Sequence, residues 1–173
     1  MFKYFLIVSI ILFSTVCNAE EVKDITTVDS SDDYPVYIIL FGLSYHTNPY
    51  YSDNDLSPYH PMVLFEVIPW KDTGILVGEY VNSFEMRSKI AAATFRQQLY
   101  QNGDFSIEAN EVIGVADGYY KNKYAKNGLS LIGWIGSSLQ YRDYGINLSW
   151  GPSIPNKNQL YHIFILTFSI KIC

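Results

Sequence analysis

Residues 160–172, LYHIFILTFSIKI, alternate between large apolar side chains and smaller or polar ones. One face of this segment is apolar throughout and consists of Phe164, Leu166, Phe168, Ile170 and Ile172. The other face carries Thr167, Ser169 and Lys171. Because successive side chains of a strand point to opposite faces of a sheet, the segment is predicted to be a strand with lipid or core on one side and water or a polar lumen on the other.

Similar segments of about 10 residues recur from Tyr34 onward, separated by turn-forming residues. They predict eight strands, at 35–46, 61–70, 74–84, 88–101, 105–118, 128–137, 139–150 and 160–172. The segments KDTG (71–74) and NGD (102–104) are tight-turn signals. Longer loops are predicted at 47–60, 119–127 and 151–159. Short turns at one end and long loops at the other are typical of outer-membrane barrels.

The composition favours the same fold, with 15 Tyr, 10 Phe and 3 Trp but only 17% charged residues. Aromatic residues are enriched in strands and at membrane interfaces. The predicted fold is therefore all-β: an eight-stranded antiparallel up-and-down membrane barrel over 34–173. A soluble lipocalin-type barrel stays open as an alternative, because the chain ends in Cys173 and not in the aromatic residue common in bacterial outer-membrane strands.

Residues 1–19 are predicted to be a cleaved signal peptide that directs export to the outer membrane. Lys3 precedes an apolar run that is shorter than the roughly 20 residues of a membrane-spanning helix, and Ala19 precedes the expected cleavage site. Cys17 fits a lipoprotein signal poorly, because Phe13–Val16 are not the residues such a signal requires. The following segment, 20–33, is predicted to be an acidic flexible arm.

Composition also excludes some functions. The formal net charge of −5, without a basic patch, argues against a nucleic-acid partner. The sequence contains neither a phosphate-binding glycine loop nor a zinc motif, so no cofactor or metal is implied. Cleavage would leave a single cysteine and hence no intrachain disulfide. The chain is expected to be a monomer.

The first predicted strand suggests what the barrel encloses. Its outer face is predicted to be Tyr37, Ile39, Phe41, Leu43 and Tyr45, with a tyrosine at each membrane interface. Its inner face would run through Val36, Ile38, Leu40, Gly42, Ser44 and His46. This pattern predicts an apolar lower interior beneath a polar rim, which could simply pack or could hold an acyl chain.

One pair of side chains at that rim suggests catalysis. His46 ends the first strand on the inner face, and Asn82 and Ser83 end the third strand at or near the same rim. An imidazole beside a hydroxyl is the minimum equipment for acyl transfer, because the imidazole can take the hydroxyl proton. His60 and His162 are predicted to be ordinary surface or structural residues.

Several motifs resemble the lipid A palmitoyltransferases of PagP type, and together they extend over most of the chain after residue 33. They are Ser44-Tyr45-His46, Trp70, the segment 74–91 with Asn82-Ser83-Phe84, Gly114-Val115-Ala116-Asp117-Gly118, and the segment 144–152. Two features depart from that family. Asn82 stands where the family commonly has Asp, and residues 20–33 lack the amphipathic helix of its best-known members.

The resemblance implies an outer-membrane enzyme that moves a palmitoyl chain from a phospholipid to lipid A. His46 would be the base, Ser83 the polariser or nucleophile, and Asn82 the residue that orients the pair. Residues 91–94 lie where the family sets acyl-chain length. Two other functions remain open: a non-enzymatic membrane barrel whose loops bind a partner or alter surface access, and a secreted barrel that binds a lipid-like ligand.

Overall fold

The alternating segments form eight strands in the computed structural model, which describes residues 34–47, 56–118, 128–156 and 159–172. The strands are β1 Val36–His46, β2 Tyr59–Trp70, β3 Thr73–Val81, β4 Arg87–Asn102, β5 Phe105–Ala116, β6 Ser130–Tyr141, β7 Tyr144–Asn156 and β8 Gln159–Lys171. Each is antiparallel to its neighbours in the chain, and β8 pairs with β1 to close the barrel. The predicted eight-stranded up-and-down barrel is thus confirmed.

The described residues contain no helix that is long and apolar enough to cross a membrane. The predicted signal peptide (1–19) and acidic arm (20–33) lie outside the described residues, as do most of the first predicted loop (48–55) and all of the second (119–127).

Two predicted connections were wrong. The break expected near residue 138 is strand, because β6 continues to Tyr141 and pairs there with Tyr144 across a turn at Arg142 and Asp143. Arg142 has a left-handed φ of 53°, a conformation for which Gly or Asn is the usual sequence signal. The loop expected at 151–159 is mostly strand, because β7 extends to Asn156 and β8 begins at Gln159.

A bulge in β1 changes which side chains face inward. Against β8 the register shift between Ile39 and Phe41 leaves Leu40 as an extra residue. Against β2 the shift has the opposite sense, and the two residues 62 and 63 lie opposite Leu40. Tyr37 and Ile39 are buried, whereas Leu40 is 44% and Tyr45 67% exposed. The predicted outer face was therefore wrong in part: its first two residues point inward, and its last three point outward. Alternation could not reveal the bulge, because the extra residue is itself apolar.

The interior consists of three layers between the end with the short turns (the turn end) and the opposite loop end. At the loop end lie Ser44, His46, His60 and Ser83. The middle layer is apolar and contains Ile39, Met62, Leu64, Leu76, Ile90, Ala92 and Ala116. The turn-end layer is polar and includes Glu66, Arg96, Glu108, Asn110, Ser138, Asn147 and Ser169. The prediction of an apolar interior beneath a polar rim was wrong in part. An apolar layer lies below the rim, but Ile39 and not Leu40 contributes to it, and the turn-end layer beneath it is polar.

Charged side chains hold the turn-end layer together. The Arg96 guanidinium donates from Nε to the two Glu66 oxygens at 3.0 and 3.1 Å, and from Nη1 to Glu108 Oε2 at 3.0 Å. It also lies 4.7 Å from the centre of the Tyr37 ring. The side chains of Arg96 and Glu66 are only 8% and 3% exposed. Charges this deeply buried persist only when each has a partner.

The outer surface is an apolar belt. Large apolar side chains that are at least 40% exposed include Leu40, Ile75, Val77, Phe95, Ile113, Leu131, Ile135, Ile146, Leu148, Phe164 and Phe168. Exposed aromatic residues lie near both margins, with Tyr45 and Tyr59 at the loop end and Trp70, Tyr141 and Tyr144 at the turn end. A continuous apolar band between aromatic girdles is the pattern of barrels in lipid bilayers.

The backbones of β4 and β5 approach closely at Gly114, which leaves no room for a side chain there. A Cβ added to Gly114 would lie 2.5 Å from the Ala92 Cα, where no side chain can yield. Gly114→Ala should therefore lower the free energy of unfolding by about 1–3 kcal/mol, measured by urea titration of the refolded barrel in detergent micelles. Gly133→Ala is the matched control, because its Cβ would meet nothing nearer than the Val112 carbonyl oxygen at 3.9 Å. Equal stability of the two variants would contradict the packing argument.

Candidate active site

Four polar side chains converge at the loop end of the barrel interior. Ser44 and His46 lie on the inner face of β1, two residues apart, and therefore point the same way. His60 faces them from the start of β2, where its neighbour across the ladder is Gly42. Ser83 follows the end of β3. Antiparallel order brings the end of each odd-numbered strand and the start of each even-numbered strand to this rim.

These side chains form one hydrogen-bonded chain. The His46 Nε2 lies 2.8 Å from the Ser83 Oγ and 3.1 Å from the Ser44 Oγ. The Ser44 Oγ lies 2.6 Å from the His60 Nε2, and the His60 Nδ1 lies 2.8 Å from the Val81 carbonyl oxygen. The order is thus Ser83, His46, Ser44, His60 and the backbone of β3. Structure places the sequence-predicted His46 and Ser83 in direct contact.

The carbonyl of Val81 fixes the protons in this chain. A carbonyl oxygen only accepts, so the His60 Nδ1 carries a proton, and the Nε2 of a neutral His60 is an acceptor. The Ser44 hydroxyl then donates to that Nε2, and its oxygen is left as an acceptor towards His46. The His46 Nε2 therefore has two favourable states. Unprotonated, it accepts the proton of Ser83, and protonated, it donates to Ser44.

Asn82 supports the turn that carries Ser83. Its Oδ1 accepts the backbone N–H groups of Phe84 and Met86 at 2.9 and 3.2 Å. Its Nδ2 donates to the Ser88 Oγ at 2.9 Å and to the Gly118 carbonyl at 3.1 Å. These contacts lead away from His46, so the structure does not bring the Asn82 side chain together with the predicted pair. The donation to Gly118 also gives a reason for Asn here, because a carboxylate could not donate it.

Backbone hydrogen bonds fix Ser83 from two sides. Within the turn, the Asn82 N–H donates to the Met86 carbonyl at 2.9 Å, and the Glu85 N–H donates to the Asn82 carbonyl at 2.9 Å. From the segment before β2, the Ser57 N–H donates to the Ser83 carbonyl at 2.8 Å. The Ser83 hydroxyl is therefore presented to His46 by a shaped turn, which limits the freedom of the pair.

Sequence reasoning missed the contributions of Ser44 and His60. Ser44 belonged to the Ser-Tyr-His motif but was given no role. A second strand that starts at residue 61 leaves His60 in a loop, whereas the strand begins at Tyr59. Counted back by twos from Glu66, through Leu64 and Met62, His60 falls on the inner face. This alternation in the sequence indicates that His60 points into the barrel.

His162 lies apart from this cluster. Its ring stacks on that of Trp150 with a centroid distance of 5.3 Å and an angle of 30° between the planes. It pairs with Pro152 across the ladder between β7 and β8, on the face that carries the exposed Phe164 and Phe168. This is a structural position on the outer surface.

The cluster can supply general-base chemistry without a charged partner. Among the described residues, its four side chains hydrogen-bond to one another and to a carbonyl, and no carboxylate joins them. Ser44 and Ser83 both contact the Nε2 of His46, so Ser44 can accept a hydrogen bond from this nitrogen when it is protonated, but it does not lie behind the ring on Nδ1 as the carboxylate of a catalytic triad does. The arrangement thus places an imidazole base against a hydroxyl, above an apolar layer.

Comparisons with known proteins support the fold but give no family. No protein-family model matches the sequence, and no curated protein matches it. Among solved structures, a de novo designed transmembrane β-barrel is 10% identical, covering 80% of this chain and 95% of the design at a TM-score of 0.51. The designed barrel TMB2.3 is 12% identical, covering 83% of this chain and 99% of the design at a TM-score of 0.54.

The N-terminal β-barrel domain of Pseudomonas aeruginosa OprF is 12% identical as well. The match covers 80% of this chain and 97% of that domain, at a TM-score of 0.47. At such low identity the likenesses to the two designed barrels concern the fold alone. The chain has the eight-stranded fold of transmembrane barrels, and the resemblance to palmitoyltransferases stays a prediction.

Proposed function

We propose that this protein is an outer-membrane acyltransferase, which moves a fatty acyl chain from a phospholipid to a hydroxyl of lipid A at the loop end. The observation that carries the proposal is the contact of 2.8 Å between the His46 Nε2 and the Ser83 Oγ at the rim of the barrel. The motif resemblance is the reason for proposing palmitoyl as the acyl group, a phospholipid as the donor and lipid A as the acceptor. The apolar belt supports membrane embedding, since exposing such a large apolar surface to water would be unfavourable.

The chemistry follows from the proton positions. His46 takes the proton of the attacking hydroxyl at Nε2, and the new N–H then donates to the Ser44 Oγ. In a direct transfer, the attacking hydroxyl belongs to lipid A and Ser83 polarises the donor ester. In a two-step transfer, the Ser83 Oγ attacks the ester carbonyl, the donor's C–O bond breaks, and His46 returns the proton to the departing lysophospholipid. The acceptor hydroxyl then releases the acyl group from Ser83.

The middle layer limits how the acyl chain can be held. Side chains fill it, and the Met62 methyl group lies against Gly42 directly below the site. Met62 is unbranched and flexible, so a rotamer change could admit an acyl chain. The filled layer also favours the second candidate function, a non-enzymatic membrane barrel. An unchanged lipid A pattern would select that alternative.

The test is mass spectrometry of lipid A from cells that make the full chain, after fractionation has located the protein. We expect the protein in outer membranes and a lipid A species heavier by one palmitoyl group. Ser83→Ala should lose that species, and the intact mass of the wild-type barrel would reveal an acyl group on Ser83 in the two-step route. A soluble periplasmic product would contradict the membrane proposal, and folded wild-type protein with unchanged lipid A would contradict the enzyme proposal.

A further inference from the structure

The turn end of the barrel contains a cavity that the proposed reaction does not use. It is a vestibule of about 760 Å³ bounded by the three tight turns, at Lys71-Asp72, Gly103-Asp104 and Arg142-Asp143. Its inner wall is the charged layer, through Tyr37, Arg96 and Glu108. The apolar layer separates it from the His46 site, so a ligand here would not reach the rim.

One buried group in this vestibule has an unused hydrogen-bond donor. Gln140 is only 6% exposed, and its Nε2 has no partner among the described residues. The amide packs directly over Gly145, where an added Cβ would lie 2.6 Å from Nε2. A buried donor without a partner is unfavourable. Because Gln140 lines the vestibule, an acceptor that enters there could satisfy its amide.

An acceptor of negative charge lies on the neighbouring strand. Glu108 gives Oε2 to Arg96 and keeps 15% of its side chain exposed. On the paired strands β5 and β6, Ser106 lies opposite Gln140 and Ser138 opposite Glu108, so the two side chains are diagonal neighbours on the inner face. The wall thus offers a carboxylate and an amide donor side by side.

The charges around the vestibule decide the class of ligand. Four cationic and four anionic side chains line it. A purely anionic ligand would meet all four carboxylates, and a purely cationic one all four cations. A ligand that carries both charges would meet complementary groups on the wall: Glu108 for an ammonium group, and Gln140 Nε2 with Lys171 for carbonyl or carboxylate oxygens.

We infer that the turn-end vestibule binds a zwitterionic amino acid or short peptide. The ammonium group lies at Glu108, a carbonyl oxygen accepts the Gln140 Nε2 hydrogen, and the carboxylate lies near Lys171 at the opening. This site is independent of the proposed acyl transfer, because it uses none of the residues at the loop end.

The test uses the folded full-length barrel in detergent micelles, with triglycine as the probe and NMR of the Gln140 side-chain amide as the readout. Triglycine should shift that resonance at concentrations of about 1 mM. N-acetyl-triglycine, which lacks the ammonium group, and triglycine amide, which lacks the carboxylate, should each bind about tenfold more weakly. Three peptides of equal effect would overturn the charge assignment.

Two variants complete the test. Gln140→Leu removes the donor and should weaken triglycine binding about tenfold, measured by calorimetry. Gln98→Leu is the matched control, since Gln98 lines the same vestibule but is exposed, and its affinity should equal that of the wild type. If no peptide shifts the Gln140 amide and its protons exchange only with water, the vestibule is merely hydrated and the inference fails.

Discussion

Replacing Arg96 with methionine should lower the free energy of unfolding of the barrel by about 3–5 kcal/mol. The reason is the burial of its partners: Glu66 is 2% exposed and would be left without a cation in the interior. Methionine keeps much of the volume of the arginine stem. The decrease in the free energy of unfolding would therefore come from the unpaired carboxylate and not from a cavity. The free energy of unfolding can be measured by urea titration of the refolded barrel in detergent micelles, with tryptophan fluorescence as the signal.

Two further variants separate this explanation from simple loss of contact. Arg142→Met breaks an ion pair with Asp104 in which both side chains are more than half exposed, and it should cost at most about 1 kcal/mol. Adding Glu66→Gln to Arg96→Met removes the more deeply buried of the two unpaired carboxylates and should recover part of the loss, while Glu108 stays unpaired. If the double variant is less stable than Arg96→Met alone, the unpaired charge is not the cause.

His46→Gln should reduce acyl transfer to lipid A about 10²–10⁴-fold, the usual contribution of a general base. Glutamine can still hydrogen-bond to Ser83 and Ser44, but it cannot take a proton. The measurement is the rate at which purified barrel in micelles acylates lipid A, analysed by mass spectrometry. The urea midpoint should stay close to that of the wild type, because His46 lies at the rim, away from the apolar and charged layers.

Variants at the other two histidines are controls for the acylation rate of His46→Gln. His60→Gln should lower the rate less, by at most about tenfold, because His60 acts on His46 only through the hydrogen bond to Ser44. His162→Gln should keep full activity, because it removes a ring stacked on Trp150 at the outer surface. Full activity of His46→Gln would rule out the assignment of the base. Equal losses at His46 and His162 would indicate a general effect on folding.

Alternation and turn signals were enough to predict the number, order and antiparallel pairing of the strands. The β8 segment shows why: each outward side chain is large and apolar, and Thr167, Ser169 and Lys171 mark the polar interior. The errors lie at positions where the local sequence pattern does not indicate the structure. The apolar Leu40 conceals the bulge in β1, and Arg142 occupies a left-handed turn position without the residue type that normally announces it.

The site was only partly predictable for a different reason. The sequence placed His46 and Ser83 at one rim, because antiparallel order fixes where strands end. It could not show that Ser44 bridges two imidazoles, since this depends on the ring orientation that the Val81 carbonyl imposes on His60. Likewise, Glu66 and Arg96 are 30 residues apart in the chain, and no local rule pairs them.

The charged layer also bears on how the barrel enters a bilayer. Glu66, Arg96 and Glu108 come from β2, β4 and β5, and Tyr37, which covers the guanidinium, comes from β1. A hairpin of β1 and β2, or of β2 and β3, that inserted alone would carry Glu66 into lipid without Arg96, the partner that neutralises it. If the barrel inserts into a bilayer as proposed, insertion of β2 before β4 is therefore disfavoured, and we expect these strands to pair before they cross.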